Sequence, residues 1–124
     1  AGLLALMYLV LSWRVIQFRQ RGISLGDGND PKMLRLIRGH ANFAEYVPLI
    51  LLMMGFLELG HTSRYLLHVL GIALVGARLL HGYALSFSDR SPFGRTWGAG
   101  LTFVVPGASG VLCLLQGIRG LALF

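Results

Sequence analysis

Four polar side chains recur at helical spacing just before a long apolar run. They are Arg35, Arg38, Asn42 and Glu45. At 100° per residue they share an arc of about 80° on one helix face, and His40 points well away from it. Arginine grips carboxylates bidentately, and an amide both donates and accepts hydrogen bonds. This face is therefore suited to an anionic, peptide-like ligand, although Arg35 can equally be an anchor that snorkels to lipid phosphates.

Further charged and polar residues are predicted at a similar depth. Arg78 and His81 are one turn apart, so they share a face of the next helix. Arg78 lies deep in an apolar run, and Glu45 is the obvious candidate to neutralise it. The alternative is a buried ion pair that only fixes helix register. Arg95 and Thr96 begin the last helix, where positive charge and a helix N-terminus can stabilise an anion such as a thiolate.

The composition indicates which elements position these residues. Hydrophobic residues make up 55% of the 124 residues, charged residues make up 13%, and the mean hydropathy is +0.67. Soluble domains carry about 25% charged residues and cannot bury so much apolar surface at this size. We therefore predict an all-α, integral membrane four-helix bundle. It forms a single domain over residues 1–124, with helices at about 2–21, 31–60, 63–87 and 92–123.

Proline follows a capping residue at the start of two segments, Asp30-Pro31 and Ser91-Pro92, which is typical of a helix N-terminus.

The net charge of +6 is not gathered on a soluble domain, so we expect no nucleic-acid partner. The histidines form no spaced ligand set, and neither H-E-x-x-H nor C-x-x-C occurs, so no metal site is predicted.

Basic residues are distributed unequally between the two ends of the predicted bundle. Eight belong to the end with the first and third connections: Arg14, Arg19, Arg21, Lys32, Arg35, Arg38, Arg90 and Arg95. Only Arg64 and Arg119 belong to the other end. By the positive-inside rule, these two connections face the cytoplasm and both termini lie on the opposite side of what we expect to be a bacterial inner membrane.

The stretch LIRGHANFAEYVPL, with its R-x-H-x-N-x-x-E pattern, resembles the MAPEG family of membrane-associated proteins in eicosanoid and glutathione metabolism, in its compact bacterial form. ARLLH in the third helix, Gln17 with Arg19 in the first, and Arg95-Thr96 in the fourth support the resemblance. It implies a homotrimer with glutathione, as co-substrate, bound between subunits near the cytoplasmic side. The glutathione-binding positions implied by the resemblance are Arg19, Arg38, Asn42, Glu45 and His81, and the implied catalytic positions are Arg95, which stabilises the thiolate, and Thr96.

The resemblance leads to the expectation of a membrane-embedded glutathione transferase or peroxidase that attacks lipophilic electrophiles or lipid hydroperoxides. Prostaglandin-forming relatives carry tyrosines at two positions that align with Leu85 and Ala99. The alternative is therefore a non-catalytic lipid-binding or scaffold protein on the same fold. A small transporter would need broken, paired helices or a half-chain repeat, and the sequence shows neither.

Overall fold

In the computed structural model, the described backbone covers residues 1–23, 25–86 and 92–121, and the described side chains leave out residues 84–99, 101–102 and 121 as well. The described residues form four helices and no strand. The helices are α1 (Gly2–Arg19), α2 (Pro31–Leu59), α3 (Arg64–Ser86) and α4 (Pro92–Leu121). This arrangement confirms the all-α four-helix bundle; the predicted helix ends at 87 and 123 lie outside the described residues.

The start of α2 is fixed by local chemistry. The carboxylate of Asp30 accepts hydrogen bonds from the backbone N–H groups of Lys32, at 2.7 Å, and Met33, at 3.4 Å. Pro31 occupies the first helical position, where a missing N–H costs nothing. The preceding Asn29 has a φ of +57°, a left-handed conformation that asparagine tolerates better than most residues. The predicted N-cap at Asp30 is therefore confirmed.

The core lies between α2, α3 and α4, with α1 packed on its flank. Its buried apolar side chains come from all four helices: Leu4, Leu11, Phe43, Val47, Ile50, Leu57, Leu70, Leu74 and Val105. A second, smaller cluster of Phe18, Met33 and Leu36 closes the junction between the end of α1 and the start of α2. The smaller cluster packs on the first turns of α2, at Met33 and Leu36, and the larger one packs on α2 from Phe43 onward. Together they fix the position of α2 along its length.

All four helices contain a segment long and apolar enough to cross a membrane. Many large apolar side chains point outward, as expected where the surrounding medium is lipid. Both α2 and α4 continue through an internal proline, Pro48 and Pro106 respectively. Membrane helices tolerate such prolines when neighbouring groups satisfy the freed carbonyl. The chain is a multi-pass membrane protein.

Candidate functional site

A hydrogen bond between Arg78 and Asn42 joins α3 to α2 within the apolar bundle. The guanidinium Nη1 of Arg78 donates to the side-chain oxygen of Asn42 at 2.8 Å. Arg78 is only 1% exposed. Asn42 lies about 16 Å past the start of α2, and Arg78 about 12 Å before the end of α3. Because the two helices run antiparallel, these distances place both residues at a similar depth.

The acceptor that the structure gives Arg78 on α2 is thus Asn42, whereas the sequence suggested Glu45. Arginine can only donate hydrogen bonds, so the atom of Asn42 that faces it must be the carbonyl oxygen. The amide nitrogen of Asn42 is consequently turned away from Arg78. Its two N–H groups can donate hydrogen bonds to a carboxylate or carbonyl oxygen of a ligand.

Tyr46 connects this pair to α4. Its ring lies 5.8 Å from the guanidinium carbon of Arg78, and it meets the ring of Phe103 edge-on with centroids 5.7 Å apart. A cation over an aromatic face is stabilised, more so where water is excluded. Tyr46 was not among the residues predicted at the site. The available signal was its position, one turn after Asn42 on the same face of α2.

Arg38 and Glu45 lie on the exposed flank of α2, one on each side of half-buried Asn42. We call Arg38, Asn42 and Glu45 the α2 stripe. A carboxylate near the middle of a membrane helix costs roughly 2.5–3.5 kcal/mol on insertion scales. An exposed Glu45 therefore needs water, a ligand or another protein surface beside it.

The other residues predicted at the site belong to α1, α3 and α4. Arg19, in the last turn of α1, and His81, one turn after Arg78, are both half-buried. Arg95 and Thr96 belong to the first turns of α4, and their side chains lie outside the described residues. The structure thus brings Asn42 together with Arg78, and the relation of the α2 stripe to Arg95 and Thr96 stays a prediction.

His40 points away from the α2 stripe, as its direction on the helix predicted, and the structure shows that it faces α1. Its ring stacks on Tyr8 with centroids 4.8 Å apart, and its Nε2 lies 3.1 Å from Oγ of Ser12. Ser12 donates its hydroxyl hydrogen to the carbonyl of Tyr8, at 2.8 Å. Since a serine hydroxyl has one hydrogen, Nε2 of His40 must carry the proton and donate to Ser12. His40 therefore fixes α1 against α2.

Metal chemistry finds no support in the part of the chain that the structure describes. No group of three histidine, cysteine, aspartate or glutamate side chains there could hold a metal ion. The polar groups of the site are arginines, an amide and a carboxylate, which are suited to binding a charged organic ligand. The arrangement can grip carboxylates and an ammonium group.

Comparison with known proteins identifies the family of this chain. The model of the MAPEG family matches residues 1–115. The chain is similar to the inner membrane protein YecN of Escherichia coli K12, with 33% identity over 110 residues that cover 85% of this chain and 84% of YecN. The same identity and coverage apply to YecN of the Escherichia coli strain O6:H1. No solved structure matches the chain. The family match over nearly the whole chain, together with the four membrane helices and the R-x-H-x-N-x-x-E motif on α2, shows that this protein belongs to the MAPEG family.

Proposed function

We propose that this protein is a membrane-embedded, glutathione-dependent transferase or peroxidase that works as a homotrimer. The observation that carries the proposal is the α2 stripe: Asn42 is oriented by buried Arg78, with exposed Arg38 and Glu45 on either side. A flank that displays charge at membrane depth is costly in lipid. A neighbouring subunit would cover it and leave room for a polar ligand between the two chains.

Glutathione has chemical groups that complement the α2 stripe. It carries two carboxylates, one ammonium group and two peptide bonds. Arg38 can grip a carboxylate bidentately, Glu45 can pair with the ammonium, and the amide nitrogen of Asn42 can donate to a carboxylate or a peptide carbonyl. Arg19 and His81, which are implied by the family resemblance, would add a cation and a hydrogen-bonding ring.

Arg95 and Thr96 would activate the thiol of bound glutathione. A nearby guanidinium and the N-terminal part of α4 lower the pKa of a thiol, so glutathione would be held as thiolate, its proton having passed to solvent. In the transferase reaction the thiolate sulfur attacks an electrophilic carbon, a C–S bond forms, and the leaving group departs with its electron pair.

In the peroxidase reaction the thiolate attacks the terminal oxygen of a lipid hydroperoxide. The O–O bond breaks, the lipid leaves as an alcohol after gaining a proton, and the sulfur becomes a sulfenic acid. A second glutathione then displaces water and forms the disulfide. Both reactions suit a membrane enzyme because their second substrate is lipophilic and reaches the site through the bilayer.

The name of a relative and the distribution of basic residues support a membrane setting for this proposal. YecN is named as an inner membrane protein, and we place this chain in a bacterial inner membrane as well. The excess of basic residues at the end that carries the α1–α2 and α3–α4 connections supports a cytoplasmic position for that end. Cytoplasmic glutathione would then reach the α2 stripe directly.

The test uses the purified protein in nonionic detergent at neutral pH. Ultraviolet absorbance reports bound thiolate, and the conjugation of chlorodinitrobenzene reports transfer. We expect wild type to show both signals, Arg95→Ala to lose both, and Arg38→Gln to need more glutathione for the same signal. Arg119→Gln removes an exposed cation at the other end and should retain both. A wild type without thiolate signal, or an unchanged Arg95→Ala, would contradict the proposal.

A groove between α1, α2 and α3 favours a second candidate, a non-catalytic lipid-binding protein. It has a volume of about 820 Å³ and is lined mainly by apolar side chains, with Glu58, Arg64 and His68 among its polar members. Leu85 and Ala99 stand where prostaglandin-forming relatives have tyrosine. In this case a phospholipid should raise the melting temperature in detergent and glutathione should leave it unchanged.

A further inference from the structure

A small basic cavity lies between the end of α1 and the start of α2. It has a volume of about 130 Å³ and is lined by Arg14, Gln17, Phe18, Arg21, Lys32 and Leu36. None of these residues belongs to the α2 stripe. At 100° per residue, Lys32 and Leu36 point about 130° away from the mean direction of the stripe. The cavity is therefore a separate feature from the proposed glutathione site.

The shape of this cavity follows from the spacing of its residues along α1 and from the smaller buried cluster of Phe18, Met33 and Leu36. The three lining residues of α1, Arg14, Gln17 and Phe18, are spaced i, i+3 and i+4, so they lie on one face. Arg21 follows in the turn just after the helix. Phe18 and Leu36 are buried and provide an apolar wall between the two helices. The guanidinium of Arg21 lies 4.5 Å from the centroid of the Phe18 ring, which holds this long side chain at the cavity.

The charged residues that line the cavity are all positive. Its lining residues carry three cations, Arg14, Arg21 and Lys32, and no carboxylate. The carboxylate of Asp30, at the start of α2, does not line the cavity and accepts hydrogen bonds from the backbone N–H groups of Lys32 and Met33. Three like charges around one small cavity repel each other, and more strongly where the surroundings are poorly polarisable. A bound anion with several oxygen acceptors would relieve this repulsion.

We propose that the cavity binds a phosphate-class anion, either the headgroup of an anionic phospholipid or free inorganic phosphate. Arginine forks and a lysine ammonium are the groups that bind phosphate oxygens in proteins, and Gln17 adds an amide donor. The cavity lies at the end of the bundle that positive charge predicts to be cytoplasmic, beside the α1–α2 connection. General snorkelling of basic side chains would recruit many lipids weakly, whereas a cavity of this size takes one phosphate group.

The experiment titrates the purified protein in nonionic detergent with three probes: short-chain phosphatidylglycerol, short-chain phosphatidylcholine and inorganic phosphate. Native mass spectrometry counts bound molecules per chain, and melting temperature follows occupancy. Arg21→Gln and Lys32→Gln remove exposed cations from the cavity, so the fold should survive both changes. Arg35→Gln makes the same charge change at the same end but does not line the cavity.

We expect one bound anion per chain, with affinity reduced roughly tenfold or more in Arg21→Gln and in Lys32→Gln, and retained in Arg35→Gln. A phosphatidylglycerol response without a phosphate response identifies a lipid site; equal responses identify a site for the free anion. Binding that is absent in wild type, that is equal for phosphatidylcholine and phosphatidylglycerol, or that falls as much in Arg35→Gln would overturn the proposal. The result is independent of the glutathione assays, since neither cavity variant alters the α2 stripe.

Discussion

Replacing Asn42 with leucine tests the hydrogen bond on which the site is built. Leucine is similar in size but offers no acceptor, so the guanidinium of Arg78, only 1% exposed, loses the 2.8 Å bond to α2. Hydrogen bonds to charged groups are worth about 1.5–3 kcal/mol in proteins. Side-chain hydrogen bonds within membranes average about 0.6 and reach about 1.7 kcal/mol. Because the donor is charged and buried, we expect a loss of about 1.5 kcal/mol in the free energy of unfolding.

The measurement is an unfolding titration in mixed micelles with sodium dodecyl sulfate, followed by far-ultraviolet circular dichroism without glutathione. Asn42→Asp keeps an oxygen acceptor for Arg78 and should stay close to wild type. Gln116→Leu removes the hydrogen bond from an exposed amide to the carbonyl of Gly60 and should cost less than Asn42→Leu.

The double variant Asn42→Leu with Arg78→Met removes both partners. Replacing a whole buried polar pair is far less costly than breaking it, so the double variant should lose clearly less than the sum of the single variants. Additive losses, or an Asn42→Leu protein as stable as wild type, would refute the conclusion that Asn42 is a stabilising hydrogen-bond acceptor for buried Arg78.

Two further predictions concern the contacts that hold α2 in place. Asp30→Ala removes the acceptor for two backbone N–H groups and should lower the free energy of unfolding by about 1 kcal/mol, while Asp30→Ser should recover most of it in the same titration. A full loss in the serine variant would contradict the capping role. Ser12→Ala leaves His40 without the acceptor of its Nε2–H and should cost about 0.6 kcal/mol relative to wild type in the same titration. Equal stability of Ser12→Ala and wild type would show that this contact between α1 and α2 contributes nothing.

The sequence predicted the helices well because their signals are local. The apolar runs, the Asp30-Pro31 cap and the 100° repeat are each properties of one segment, and the observed helices follow them. The same repeat separated His40 from the α2 stripe, and His40 indeed packs on α1. The α2 stripe could be predicted because it depends only on the geometry of a single helix.

The partner of Arg78 could not be predicted in the same way. Asn42 and Glu45 are one turn apart, so the choice depends on how α2 is rotated toward α3 and how far α3 is shifted along it, and both are set by packing across the whole core. Tyr46 was missed for the same reason, since its role is visible only when Arg78 of α3 and Phe103 of α4 are placed around it. A family resemblance can name positions, but contacts between helices require the fold.

The most direct test of the proposed function is the affinity of the protein for glutathione, measured by titration calorimetry in detergent. Wild type should bind glutathione, and Glu45→Gln should bind it roughly tenfold more weakly, because the exposed carboxylate is the proposed partner of the ligand ammonium. Glu58→Gln, an exposed carboxylate outside the α2 stripe, should bind like wild type. Absence of glutathione binding to wild type, or equal affinity of Glu45→Gln and wild type, would contradict the assignment of the α2 stripe as the glutathione site.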